Sequence, residues 1–262
     1  MKPLPDVVLI GTGRLAHALA SGLHARGIRI RTIVGRDRER TQVLADSVGA
    51  GALTAMVGLS PEPAIYFLAV SDDAIPAVAD ALGQQAESLT GHIVHGAGSV
   101  PSDALHGASL PAGVFYPVQS FVPNRPVDWA TIPLCLTAEA PATAAVLETL
   151  AQRMQGPVQW VSDEQRQVLH LAAVWANNFP TFCLAVAAER LEKSGLPFDL
   201  LRPLVAETAD RAAHAHPKTL QTGPAVRGDQ ATMQRHEDQL SDDSDLVFLY
   251  DALSQAIRRR MG

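Results

Sequence analysis

Residues 11–16 read Gly-Thr-Gly-Arg-Leu-Ala and follow the apolar run Val7 to Ile10 directly. Two glycines at this spacing, with a small residue three positions on, suit one task when they join a buried strand to a helix. That task is cradling a phosphate-bearing ligand. Gly11 permits the tight turn. Gly13 lets phosphate oxygens reach the backbone, and Ala16 is small enough for the helix to pack closely on the strand. Thr12, Arg14 and Leu15 complete the turn, where the free N–H groups of the first helical turn favour an anion. A dinucleotide is the expected ligand, and a glycine turn without a ligand is the alternative.

The tip of the next strand, Val34-Gly35-Arg36-Asp37-Arg38, bears on which dinucleotide. A site preferring NAD places an acid there to hold the ribose 2′-hydroxyl. Here Gly35 and Arg36 occupy the tip, and Arg38 and Arg40 follow. A guanidinium can grip a 2′-phosphate and stack on adenine. Arg36 and Arg38 are therefore read as NADP-binding, with NAD the lesser alternative. Asp37 stays open as a ribose contact. Further along, Val70, Ser71 and Asp72 end another strand-like run and either border the adenosine half or cap the following helix. His95, Gly96 and Ser99 end the next run and are expected to border the nicotinamide.

Hydride chemistry also needs a proton donor and groups that orient the substrate. His170 lies seven residues before Asn177, two helical turns away on the same face. It is either a general acid/base or a packed histidine. Asn177 and Asn178 sit mid-helix just before Pro180, which is expected to kink the helix; they form a polar wall or helix–helix hydrogen bonds. Arg227 lies in the glycine-rich segment Thr222 to Asp229 and could hold a substrate carboxylate, while Asp229 is a candidate helix cap. Tyr116 is either a proton donor or a core aromatic. His214-Ala215-His216 offers too few ligands for zinc, and no metal site is expected.

The elements that must position these residues follow from periodicity. Strand-like runs cover Val7 to Ile10, Ile28 to Val34, Ala64 to Val70 and His92 to His95. Helix-like segments between them cover Arg14 to Arg26, Arg38 to Val48 and Ala74 to Leu82. This alternation predicts an α/β, Rossmann-type doubly wound sheet. Gly113 to Tyr116, Pro133 to Thr137 and Val158 to Val161 are expected to extend the same sheet, with a helix from Pro141 to Met154. After Ser162, a candidate N-cap, the pattern is helical throughout, ending in a helix from Asp245 to Arg260 capped by Ser244. The reading is a dinucleotide-binding domain over 1–161 and an all-α domain over 162–262.

The 262 residues include 47% hydrophobic and 18% charged, with a formal net charge of −6. Such a balance argues against nucleic acid or an anionic membrane as partner. The two cysteines, Cys135 and Cys183, imply no disulfide framework. The opening residues Met1 to Asp6 have no leader-type pattern, and no apolar run reaches membrane length. A soluble, cytoplasmic protein with a small-molecule substrate is expected.

Several segments in order carry a resemblance: Gly11 to Ala16, Val70 to Asp73, His95 to Ser99, Phe115 to Phe121, Ala176-Asn177-Asn178 and Thr222 to Asp229, with Thr232 and His236. Together they resemble Rossmann-like oxidoreductases with a C-terminal helical domain of unknown function. That group is similar to pyrroline-5-carboxylate reductase, 6-phosphogluconate dehydrogenase and the deazaflavin-dependent NADP reductases. The resemblance implies a C-terminal domain like that of 6-phosphogluconate dehydrogenase, which builds a homodimer and closes the cleft. β-Hydroxyacid dehydrogenases carry a catalytic lysine four residues before the second asparagine, and here that position is Val174. The expected activity is therefore NADP-dependent reduction of C=N or C=O on a small, anionic substrate. The alternatives are a catalytically inactive NADP-binding sensor or scaffold and, more weakly, pyrroline-5-carboxylate reductase, whose Gly-Gly-Thr-Thr helix start is missing.

Overall fold

A computed structural model describes residues 4–85, 89–123 and 125–261; the opening Met1 to Pro3 lie outside the described residues. Its strands are β1 (Asp6–Ile10), β2 (Ile30–Val34), β3 (Gly51–Leu53), β4 (Ala64–Leu68), β5 (Gly91–His95), β6 (Ala112–Pro117), β7 (Leu134–Ala138) and β8 (Val158–Trp160). They form one sheet in the order β3-β2-β1-β4-β5-β6-β7-β8. Every neighbouring pair is parallel except β6 and β7. The doubly wound sheet expected from the alternating pattern is present. Two of its features had no sequence signal. β3 is a three-residue edge strand without an apolar run. The reversal at β7 follows from a β6–β7 connection that contains no α-helix to carry a parallel crossover.

Alternate residues of the central strands feed two cores. Val7 and Leu9 of β1, with Ile65 and Phe67 of β4, pack under α1 (Arg14–Ala25), α2 (Arg38–Val48) and a later helix, α4 (Pro141–Met154). Val8, Ile10, Tyr66 and Leu68 point the other way, toward α3 (Ile75–Gly83). Burial on both faces explains why these strands read as continuous apolar runs. The turns that end β1, β4 and β5 consequently sit on a rigid base.

Helices follow β8. They are α5 (Asp163–Ala173), α6 (Phe179–Lys193), α7 (Arg202–His214), α8 (Pro224–Arg227), α9 (Gln230–Gln239) and α10 (Ser244–Met261). Ser162 caps α5 as expected, in a reciprocal arrangement with Gln165. Val174–Asn178 forms a π-helical turn between α5 and α6. The π turn lies directly ahead of Pro180, where a kink is expected. The wider turn absorbs the missing proline N–H and the crowding of its ring against the preceding turn. The cap of α10 also differs from expectation: Asp243, not Ser244, accepts the N–H of Leu246, at 3.1 Å.

The chain divides into two compact units, one up to Phe182 and one from Cys183. The sheet ends near the boundary expected at Val161, and the division itself falls within α6. Asp163–Lys193 makes a 31-residue helical stretch with a window of mean hydropathy 1.4, long and apolar enough by length and composition to cross a membrane. This corrects the expectation that nothing reaches membrane length. His170, Asn177 and Asn178 break the runs of apolar residues without lowering the average enough. Along the stretch Val168, Leu171, Trp175, Phe179 and Phe182 are exposed. Among the described residues of the second unit, only Ala225 and Met233 are buried apolar side chains.

Candidate active site

Two cavities of the first unit open at the carboxyl ends of its parallel strands. The larger, 860 Å³, is lined by the 10–15 turn, by 34–36 after β2, by 54–57 after β3, by 69–71 after β4 and by one face of α3. Gly11 makes it possible. Its φ is +121°, and a Cβ there would stand 2.3 Å from the carbonyl oxygen of Ala69. A side chain would be strained by conformation and by space together. No side chain caps α1, and its first turn holds no acid. Its leading N–H groups are thus left for an anion. Ala16 is fully buried against the strand. These features fit a dinucleotide phosphate.

The strand-tip residues separate into different roles. Arg36 lines the large cavity. Asp37 caps α2, accepting the Arg40 N–H at 3.1 Å, and its carboxylate pairs with the Arg40 guanidinium at 3.5 Å. Arg40 lines an adjoining 530 Å³ basic cavity with Thr12, Arg14, His17 and Arg125. Arg38 lines neither. Sequence reasoning thus found Arg36 and passed over Arg40, which sits three positions beyond the cap at Asp37.

Val70 and Ser71 line the large cavity. The Asp72 carboxylate accepts a hydrogen bond from the Ser99 hydroxyl, tying the turn after β4 to the turn after β5. His95 is fully buried and lines neither cavity. Its Nδ1 accepts the Ala97 N–H at 3.1 Å, and its Nε2 lies 3.4 Å from the Pro101 carbonyl. These partners place the proton on Nε2. Burial, reinforced by the nearby Arg166 charge, pushes the imidazole down to about 4. His95 therefore shapes the 96–101 turn from beneath. Gly96 in that turn lies against the Leu15 side chain.

The second cavity, 490 Å³, is walled by Tyr116 at the end of β6, by 118–120, by one face of α5 and by the π turn. His170, Asn177 and Asn178 all line it, so residues chosen for their helical spacing do meet. The Tyr116 hydroxyl lies 3.3 Å from His170 Nδ1, within hydrogen-bond reach. Asn177 Nδ2 donates to Asn178 Oδ1 at 3.4 Å, and both amides are exposed. Burial pushes the Tyr116 phenol up, helped by Cys135 and Asp72 and opposed by Arg166. Gly98 fits under this pair: a Cβ there would meet His170 Nδ1 at 2.6 Å and Tyr116 Cζ at 2.8 Å. Val174 lines the cavity too, with an apolar side chain at the position where β-hydroxyacid dehydrogenases resemble one another in carrying lysine.

Arg227 belongs to the second unit, exposed at the end of α8. Asp229 caps α9, accepting the Thr232 N–H at 3.0 Å. Three participants escaped sequence reasoning. The 54–57 segment follows a strand too short to detect, Gly98 shows its purpose only through packing, and Arg166 belongs to no motif.

A family model described as NADP oxidoreductase, coenzyme F420-dependent, matches residues 6–94, and one for a domain of unknown function, DUF2520, matches residues 132–257. The chain is 37% identical to the "putative NADP oxidoreductase BF3122" of Bacteroides fragilis. The match covers 98% of each chain, with a TM-score of 0.90. The chain belongs to this NADP oxidoreductase family. Two more distant structures share the fold of the family member. A pyrroline-5-carboxylate reductase from Coxiella burnetii is 18% identical, with a TM-score of 0.60 over 99% of this chain and 98% of that one. A reductive aminase from Aspergillus terreus, in complex with NADPH and ethyl-5-oxohexanoate, is 14% identical, with a TM-score of 0.66 over 99% and 96%. No curated protein sequence matches the chain.

Proposed function

We propose that this family member reduces a C=O or C=N bond of a small substrate with NADPH, using Tyr116 and His170 to deliver the proton. NADPH would supply the hydride. The turn at Gly11 to Ala16 would hold the pyrophosphate, and Arg36 with Arg40 the 2′-phosphate. The observation that carries the reading is the 3.3 Å approach of a phenol and an imidazole in a cavity walled by two carboxamides. Phenol and imidazole can pass a proton between them, and the amides of Asn177 and Asn178 can orient a carbonyl or imine. Val174 offers no amine for a lysine-assisted oxidation. Arg227 is the cation proposed to select an anionic substrate.

The same reading includes a homodimer formed through the helical region. Val168, Leu171, Trp175, Phe179 and Phe182 recur every three or four residues, forming one apolar stripe 45–68% exposed. A stripe of that size is seldom left in water. A second copy is the occupant proposed, because the second unit also buries few of its own apolar side chains. Light scattering on the purified chain should give twice the chain mass.

The activity is tested by fluorescence titration with NADPH and NADH, then by following NADPH absorbance against aldehydes, ketones, keto acids and cyclic imines. Tyr116→Phe and His170→Gln should each cut turnover by about 10²- to 10⁴-fold while NADPH affinity holds. Binding of NADPH with no turnover on any of these substrates would replace the reductase reading with that of a cofactor-binding sensor.

A further inference from the structure

Arg166 is the one charged side chain among the described residues that is wholly buried. Its guanidinium donates to Thr137 Oγ1 at 2.7 Å and to the Val100 carbonyl at 2.5 Å, and it pairs with the Asp163 carboxylate at 2.6 Å. Asp163 in turn accepts both the N–H and the hydroxyl of Ser102, at 2.8 and 2.9 Å. The Nε has no partner among the described residues. A buried cation with an unpaired N–H is costly, and apolar packing would hold a helix to a sheet at less expense. What the charge secures is a register.

β6 and β7 pair Val114 with Thr137 and Tyr116 with Cys135. Side chains two apart on a strand share a face, so these four residues present one surface. Val114, Tyr116 and Cys135 form a small core there, against Val161 and Leu169. α5 lies over that surface. Arg166 seats on Thr137, and His170, one helical turn on, seats on Tyr116. A helical turn advances 5.4 Å and two strand residues nearly 7 Å, so the two seats match closely enough for both contacts to form. The loop after β5 is held by the same pair of seats. Gly98 fits beneath the phenol and imidazole, and Val100 accepts from the guanidinium.

We propose that Arg166 is the positioning residue of the Tyr116–His170 pair, its bonds to Thr137 and Val100 fixing α5 in the register that sets the imidazole against the phenol. The inference rests on the reductase reading for its purpose, but its geometry can be tested without a substrate. Ring nitrogen chemical shifts of histidine, recorded by NMR on the full chain and assigned with His170→Gln, report which nitrogen carries the proton and whether it is hydrogen-bonded. The native chain should show His170 in one tautomer. Tyr116→Phe should convert it to the mixture of a free imidazole, and Arg166→Met should produce the same mixture. Arg166→Lys should restore part of the native signal, and Thr137→Val should cause a smaller change in the same direction.

In the Tyr116→Phe background, Arg166→Met should add nothing to the His170 signals. A folded Arg166→Met chain with native His170 signals overturns the proposal. So does an equal change with and without Tyr116. Should Arg166→Met fail to fold, Thr137→Val decides, and unmoved His170 signals in that variant overturn the proposal as well. A chain that shows the convergence yet turns over no substrate defeats the reductase reading and leaves the positioning role standing. With a substrate in hand, Arg166→Met should lower kcat about 10- to 100-fold with KM unchanged, the signature of a misplaced proton donor.

Discussion

The cavity beside Gly11 and the cavity beside Tyr116 open at the carboxyl ends of the same sheet, but they are built from different materials. The first is made largely of backbone: glycine turns, free N–H groups and strand tips, each delivered by a local strand–helix junction. The second is made of side chains that converge from β6 and from a helix more than fifty residues later in the chain. The first is therefore a general ligand cradle, whereas the second can differ between members of one fold while the sheet stays the same. The difference teaches where each kind of substitution should act: backbone changes on binding, side-chain changes on turnover.

That contrast can be broken at four points. The largest effect is expected at the Tyr116–His170 pair proposed to deliver the proton, where Tyr116→Phe or His170→Gln should remove turnover and spare NADPH binding. Loss of binding in either variant would erase the distinction between the cavities. Next comes Gly11→Val. Strain at φ +121° and the clash with the Ala69 carbonyl should together cost roughly 3–5 kcal/mol, seen as a lowered Tm and weakened NADPH binding.

A third effect separates the two cavities by pH. His95, beneath the turn between them, titrates near 4 when folded against an ordinary value of 6.5. Between those values the unfolded chain binds the extra proton, so stability falls as pH drops from 6.5 toward 4, by up to about 3 kcal/mol. Asp163 behaves as a carboxylate held low. Burial works to raise it, but bonds from Ser102 and Arg166 outweigh burial. Its contribution is present above its ordinary range and is lost as pH falls further. Urea unfolding across this range should show a slope that His95→Gln flattens; an equal slope in that variant would remove His95 as its source.

The smallest effect concerns cofactor choice. Arg36→Ala and Arg40→Ala should each weaken NADPH about 10- to 100-fold and leave NADH unchanged, as expected for a charge-assisted bond to phosphate. Arg38→Ala should change neither. A large loss for Arg38 would show that the strand tip and α2 present their arginines differently from the arrangement described.

Reading order along the chain explains what could be foreseen. The individual strands and helices, the glycine turn and the Ser162 cap are set by residues close together in the chain, and short-range patterns encode those. His170, Asn177 and Asn178 were legible as a group because helical spacing alone puts them on one face. Tyr116 stayed ambiguous, since nothing near it in sequence tells a core aromatic from a proton donor. Arg40 was hidden behind the expectation that the arginine nearest the strand tip would face the ligand.

By itself the sequence determined a glycine turn on a doubly wound sheet, because glycine spacing and apolar alternation act locally and admit few other solutions. Only the tertiary structure decided that Tyr116 meets His170, that Gly98 makes room for them, and that a buried guanidinium holds their register. Those contacts join residues 18 to 72 positions apart. They depend on how α5 settles over β6 and β7, which is fixed by the packing of whole elements and leaves no periodic trace in the chain.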